Sequence, residues 1–327
     1  MVIGTTVTVD KNIPQYDNSH YAVVDLGSNS FHLLITQLIN DDVYIVNKVK
    51  QKVRLASGLD SHNILNQEAI SRGLDCLNLF AQHLASIPPS NIVIVATATL
   101  RIAKNAQDFL QAANRILPQP INLLSGDQEA HTIYAGASCT SSSGCSLDNR
   151  LVLDIGGAST ELVVGKGCLA TQAISLNIGC VSYKKQYFAD NLLHEDNFNQ
   201  AITAATKEIN TIAQSYIQQG WQIAMGSSGT MQALAEILTY QQEEAIITLT
   251  VLEDVKSKLM HCHHMDKIEI SGLRADRIPV LASGLCILIA LFHCLNIKEL
   301  VISTGALREG LLFSLLPERN SLTLIKQ

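Results

Sequence analysis

Short, wholly apolar runs alternate along this chain with stretches in which apolar residues return every third or fourth position. The first pattern marks strands buried on both faces and the second marks amphipathic helices. Residues 21–26 predict a strand, 27–30 (Gly-Ser-Asn-Ser) a turn, and 31–39 a second strand. Asp41-Asp42 predicts another turn, with 43–55 continuing the antiparallel hairpins. Ile70, Leu74, Leu77 and Leu84 share helical spacing and predict a helix from about 66 to 86, closed by Pro88-Pro89. Residues 91–100 read as a buried strand and 105–117 as a helix. Ser125 and Gln128 make a capping box, so a helix starts there with Glu129 in its first turn.

The Ser/Gly-rich stretch 139–150 reads as a loop and the best place for a domain boundary. A second series follows: strand 151–155, turn 156–159, strand 160–165, helix 198–220, and strand 221–229 running into a glycine turn. After it come helices at 230–240 and 251–262, and a loop leading into a buried helix across 270–296 with Pro279 near its start. A strand at 299–305 and a helix at 306–316 close the series. Asp25-Leu-Gly-Ser-Asn-Ser30 and Asp154-Ile-Gly-Gly-Ala-Ser159 carry Asp, Gly and Ser at the same offsets, 129 residues apart, each between apolar runs. This predicts a duplicated β-hairpin unit and two α/β lobes facing a cleft.

Composition narrows the class. The 327 residues exceed one typical core, 47% are hydrophobic, 16% are charged, and the net charge is −6. A disordered chain, a histone-like basic protein and a broad nucleic-acid face are excluded. Runs such as 287–291 are short, and none is expected to reach the ~18 residues of a membrane span. The N-terminus has no basic segment ahead of an apolar one, so it reads as a short edge strand or loose tail rather than a secretory signal. The eight cysteines form no CxxC pair, which predicts reduced structural thiols and a cytoplasmic location. His261, Cys262, His263 and His264 cluster locally, but no second cluster completes a zinc site, so they read as a helix end.

Three glycine turns, at 27–30, 156–159 and 226–229, offer backbone N–H groups of the kind that bind phosphate. Asp25 and Asp154 precede two of them, and pseudo-symmetry would set them face to face. Carboxylates beside phosphate-binding turns suggest Mg2+. The patterns GxxxxGK[ST] and GxGxxG are absent, which removes P-loop and Rossmann enzymes. From position alone Glu129 is either a helix-dipole carboxylate or a general base. Glu161 either points into the cleft or lies on a solvated face. Arg101 stands where it could meet phosphate oxygens, and Arg274, Arg277 and Arg308 either do the same or make structural ion pairs.

The segments DLGSNSFHLLI from Asp25, TATLRIAKN from Thr97, SGDQEAHTIYAG from Ser125 and DIGGASTELVVG from Asp154 assemble into a pattern. NIGCVSYKKQYF from Asn177, GSSGTMQALAEI from Gly226, RADRIPVLASG from Arg274 and STGALREGLL from Ser303 extend it. In this order, over roughly residues 20 to 316, they resemble the exopolyphosphatase / guanosine pentaphosphate phosphohydrolase family of the actin, sugar kinase and chaperone ATPase superfamily. The resemblance implies an α/β fold of duplicated actin-like (ribonuclease H-like) lobes. It implies Mg2+-dependent release of orthophosphate from polyphosphate or from the 5′-triphosphate of guanosine pentaphosphate. By the same resemblance Glu129 is the base, Asp154 and Glu161, with Asp25, hold metal or water, and Arg101 stabilises charge. Gly27, Ser28, Asn29, Ser30, Gly156, Gly157, Ser159, Gly226, Ser227 and Gly229 cradle phosphate.

The expected domains are 1–138 and 139–304, with a helix in about 305–327 returning to the first. Three departures stand out. Ala158 replaces the family's third glycine, Gln128 replaces an acidic neighbour of Glu129, and the further C-terminal helical region of many members is missing, which predicts a shorter groove for long polyanions. Two other readings use the same residues: a guanosine tetra- or pentaphosphate sensor without catalysis, and an ATP-dependent small-molecule kinase. Exposed apolar helix faces would allow a homodimer.

Overall fold

A computed structural model describes residues 15–141, 148–317 and 323–326. The expected N-terminal edge strand or tail and the centre of the 139–150 loop lie outside them. The first part of the chain runs β1 (His20–Leu26), β2 (Phe31–Ile39), β3 (Asp42–Gln51), α1 (Gln67–Leu84), β4 (Ile92–Ala96), α2 (Ala98–Ile102), α3 (Ala106–Ala113), β5 (Asn122–Leu123) and α4 (Gly126–Cys139). It continues through β6 (Asn149–Ile155), β7 (Thr160–Lys166), β8 (Leu169–Leu176), α5 (Cys180–Tyr187), α6 (Glu195–Gln219), β9 (Ile223–Ser227), α7 (Gly229–Tyr240), β10 (Ile246–Thr248) and α8 (Leu249–His261). The last elements are α9 (Ile278–Leu295), β11 (Glu299–Ile302), α10 (Leu307–Leu315) and β12 (Leu324–Lys326).

Local chemistry sets these boundaries. Asn66 caps α1 by accepting from the Ala69 N–H, and Ser125 with Gln128 forms the capping box of α4. Two expectations shift. The turn before β3 is Asn40-Asp41, both at positive φ (49° and 69°) as a two-residue hairpin turn requires, so Asp42 opens the strand. The run 91–100 is strand only to Ala96 and becomes α2 at Ala98, because an unbroken apolar run carries no period to separate strand from helix.

The sheets have the orders β12-β3-β2-β1-β4-β5 and β10-β11-β9-β6-β7-β8. Without β12 and β10 the two orders are the same: two antiparallel hairpin steps, then strands added in parallel to the first strand. The duplicated actin-like architecture is therefore in the hydrogen bonding. Asp25 and Asp154 are each the penultimate residue of the first strand of a repeat, cross-paired with His32 and Glu161.

The equivalent helices α4 and α10 lie between the sheets. Val23, Leu34 and Val95 pack on them from one side and Val152, Val163 and Met225 from the other, together with Ile133, Tyr134, Leu311 and Leu312 of the helices themselves. The helices touch backbone to backbone. A Cβ on Gly136 would lie 1.9 Å from the Ala306 carbonyl oxygen, and one on Gly310 would lie 1.9 Å from that of Thr132. Outer cores pack α1 and α3 on the first sheet, and α5, α6, α8 and α9 on the second.

Helix α9 corrects the expectation that no segment is long enough to span a membrane. Its 18 residues meet that length and are apolar enough. Every residue from Leu281 to Phe292 is nevertheless buried in protein, so α9 is the central helix of the second core. The cysteines bring a second correction. Cys76, Cys139, Cys180, Cys262, Cys286 and Cys294 are free thiols, but Cys168, at the tip of the β7–β8 hairpin, is disulfide-bonded. The expected His261–His264 helix end is where α8 stops.

Because the helix crossing admits no side chain, Gly136→Ala or Gly310→Ala is expected to cost about 3 kcal/mol through overpacking against backbone. Chemical denaturation should show a lower midpoint at unchanged slope. Wild-type stability in both variants would contradict the crossing.

Candidate active site

The turns of the two repeats meet across a cleft. A Cβ on Gly157 would stand 2.8 Å from that of Ser28 and 3.6 Å from the Asn29 nitrogen, so only glycine lets the loops approach this closely. Between them and the start of α7 is a cavity of about 420 Å3 lined by Gly27 to Ser30, Gly156, Gly157, Ser159, Ser227, Ser228 and Gly229. Ser228, ahead of α7, has φ of 92°, a strained conformation that aims the helix N-terminus at the cavity. Gly226 does not line it; that glycine makes room for Leu300 and Met231. Ala158 is not among the residues with positive φ, so its methyl group is accommodated without backbone strain.

Carboxylates gather on one side. Asp25, Asp154 and Glu129 line the cavity. Burial pushes Asp25 up to about 6, with repulsion from Asp154 and Glu309 adding to it against the pull of Arg308. Asp154 is also pushed up to about 6 by burial, although Ser227 Oγ donates to its Oδ2. Glu129, only 6% exposed, is pushed up to about 7 by burial, partly offset by Arg101 and raised further by Asp25 and Asp154.

Arg101 Nη1 donates to Glu129 Oε2 at 2.5 Å and to the Leu124 carbonyl at 3.0 Å. The arginine therefore sits on Glu129 and does not line the main cleft. It lines a separate cavity of about 290 Å3 with Ser125, Asp127 and Asn177 among its walls. Gln128 answers the second departure. Its Oε1 accepts from the Ser125 N–H at 2.8 Å, which serves the cap without adding charge beside Glu129.

Glu161 is neither on a solvated face nor on the cleft wall. It is 1% exposed, accepts from Ser175 Oγ at 2.7 Å, and is held well above the ordinary range by burial and by repulsion from Glu129 and Asp154.

Composition and spacing left several cleft residues unassigned. Lys48 and Lys50 of β3, Lys52 just beyond it and Asp276 line the cavity, together with Arg277 and Arg308, two of the arginines that the sequence offered as phosphate ligands or ion-pair partners. The signal was the period-two placement of Lys48, Lys50 and Lys52 across the end of a strand, which puts the first two on one face. Arg308 Nη1 donates to His32 Nδ1 at 3.0 Å. Burial first, then Arg308, Lys50 and Arg277, hold His32 well below its usual pKa, so it is neutral.

Among the described residues no three His, Cys, Asp or Glu side chains converge as a ready metal group. The pair Asp25 and Asp154 fits a hard cation all the same. Both are oxygen donors at the cavity wall, and Asp25 Oδ1 is buried with no hydrogen-bond partner.

The two-sheet topology defines a duplicated actin-like protein. The family model for the Ppx/GppA phosphatase family matches residues 34–319, and the chain belongs to that family. It is 48% identical over 298 residues to a guanosine-5′-triphosphate,3′-diphosphate pyrophosphatase of Vibrio cholerae. It is 47% identical over 298 residues to the protein of the same name from Aliivibrio fischeri. Each match covers 91% of this chain and 59% of the relative's length. A crystal structure of an exopolyphosphatase from Cytophaga hutchinsonii superposes with a TM-score of 0.80 at 22% identity, covering 90% of this chain and 97% of that one. The Aquifex aeolicus Ppx/GppA family member gives 0.71 at 23% identity, covering 90% and 96%. These two likenesses concern the fold.

Asp25 has a folded pKa of about 6 against an ordinary 3.8. Its stabilising contribution is present below about pH 4 and is lost as pH rises through 6. Asp25→Asn is therefore expected to raise unfolding stability at pH 8 without added metal, by about 3 kcal/mol at most, and to gain progressively less toward pH 4. Denaturation curves at the two pH values measure this. A variant less stable than wild type at pH 8 would contradict the burial argument.

Proposed function

We propose that this chain is a phosphohydrolase that releases terminal orthophosphate from guanosine pentaphosphate or from inorganic polyphosphate by attack of water. The observation that carries this reading is Glu129. It is a buried carboxylate on the wall of a cavity lined by the glycine turns, held near pKa 7 and oriented by Arg101. A base titrating near neutrality can take a proton from water and still be ionised often enough to act. The family membership and the names of the Vibrio and Aliivibrio relatives support the same substrate class.

The turns supply N–H groups for the phosphate oxygens, and the α7 N-terminus adds its positive end. Glu129 lines the same cavity as these donors, so it can act on a water that attacks a phosphoryl group held there. Arg101 holds the carboxylate in one position and favours its ionised form. Asp25 and Asp154 would hold Mg2+, with Glu161 behind Asp154 as its cross-strand neighbour. When bound, the ion supplies positive charge against the phosphate oxygens. The domain reading consistent with this places the cleft between 1–138 and 139–304, with α10 and β12 returning to the first sheet.

Orthophosphate release with Mg2+ present, measured in parallel on guanosine pentaphosphate and long-chain polyphosphate, tests the reading. Glu129→Gln should lose about 10²–10⁴ of the rate. In the wild type kcat/KM should rise with pH to a plateau with its midpoint near 7. Arg101→Gln should move that midpoint upward, because the arginine lowers the Glu129 pKa. Release from neither compound, or an unimpaired Glu129→Gln enzyme, would overturn the proposal.

A further inference from the structure

The cavity that Arg101 lines shares a wall with the cleft, and two side-chain paths cross that wall. Glu129 lines the cleft, and its Oε2 accepts from Arg101 Nη1 at 2.5 Å. Ser159 also lines the cleft and hydrogen-bonds Glu161, whose Oε1 accepts from Ser175 Oγ at 2.7 Å, and Ser175 lines the second cavity. A Cβ on Gly126, the first residue of α4, would lie 2.6 Å from that of Ser175, so the start of α4 abuts β8 here. The wall is therefore polar and a few side chains deep.

The outer side of this cavity meets solvent. Ser125, Asp127 and Asn177, which line it, are all exposed. At roughly 30 Å3 per water, its volume of about 290 Å3 has room for a small oxyanion with several waters. Its lining carries one cation, Arg101, and one carboxylate, Asp127. That pairing suits a passage better than a store. The guanidinium draws an oxyanion through the wall, and the carboxylate keeps it from staying.

The reaction creates a need for such a passage. While the terminal phosphoryl group is at Glu129, the cleft holds the rest of the substrate, and after cleavage both products share about 420 Å3. The same step loosens the wall. The oxygen of water bonds to phosphorus, the bridging P–O bond breaks with its electron pair going to the leaving phosphate, and one water proton passes to Glu129. A neutral Glu129 no longer holds the guanidinium by charge, whereas the new orthophosphate is an anion that binds it. When Glu129 returns its proton to solvent, the ion pair with Arg101 forms again and the passage shuts.

We propose that the second cavity is the exit for orthophosphate, and that Arg101 passes the ion across the wall from Glu129 while the rest of the substrate still occupies the cleft. The exit rests on the phosphohydrolase reading above. It gives Arg101 a second role beyond fixing Glu129. It also gives a task to Asp127 and Asn177, which line the second cavity and not the cleft.

The test is a single turnover, with Mg2+ and enzyme in excess, of guanosine pentaphosphate and in parallel of tripolyphosphate. Acid quenching reads cleavage, a fluorescent phosphate-binding reporter protein reads free orthophosphate, and the delay between them is the exit time. Asn177→Trp, which narrows the outer opening, should lengthen the delay about tenfold while cleavage stays within about twofold of wild type. Asp127→Lys, which puts a cation where the carboxylate stood, should lengthen it about three- to tenfold by holding the ion. Asn177→Ala should keep the wild-type delay. A purely structural role for these residues would move cleavage and delay together or move neither. Intact cleavage with an unchanged delay in both Asn177→Trp and Asp127→Lys would overturn the exit while leaving the phosphohydrolase reading standing. Cleavage of neither compound by the wild type would overturn both.

Discussion

The burial of three carboxylates around one cleft is the constraint from which the site follows. Asp25 and Asp154 are both held near 6 and Glu129 near 7, with burial the main cause in each case. A fold gains nothing by burying three acids together unless something relieves them. The relief visible within the chain is partial: Ser227 on Asp154, Arg101 on Glu129, and Arg308 acting on Asp25 from a distance. What is left over favours a hard cation and anionic ligands that bring one with them, which is how an electrostatic cost of folding becomes a binding preference.

Duplication is what brings the acids together. Each repeat ends its first strand with an aspartate ahead of a glycine turn, and the crossing of α4 and α10 at Gly136 and Gly310 fixes how the repeats face each other. Because these helices touch through backbone, the spacing between the sheets is set by main-chain contact and not by adaptable side chains. Ser28 and Gly157 can then meet across the cleft. The cavity is lined by these acids and also by basic residues, Lys48 and Lys50 of β3, Lys52 beyond it and Arg277 before α9.

Much of this was legible in the chain. The repeated Asp-x-Gly-x-x-Ser marked both strand ends, and the Ser125–Gln128 box located Glu129 in the first turn of its helix. Where reading failed, the missing information was tertiary. Residues 169–187 suggested no element because β8 is half-exposed with weak alternation, and α5 is short. Arg101 looked like a phosphate ligand because its strand-end position does not reveal that Glu129 takes its guanidinium. Lys50 and Lys52 drew no reading from the sequence, because only the opposite half of the chain places Asp276 against them. Cys168 shares the composition of the free thiols and differs only in lying at a hairpin tip.

The central claim is that the cleft carboxylates are electrostatically frustrated as a group. The most direct measurement is a pH titration of the metal-free protein by carbon-detected NMR with labelled aspartate and glutamate carboxyls, assigned with Asp25→Asn, Asp154→Asn and Glu129→Gln. The account predicts that Asp25 and Asp154 titrate near 6 and Glu129 near 7, and that removing either aspartate lowers the Glu129 midpoint. Titration of all three near 4, each indifferent to the others, would contradict it.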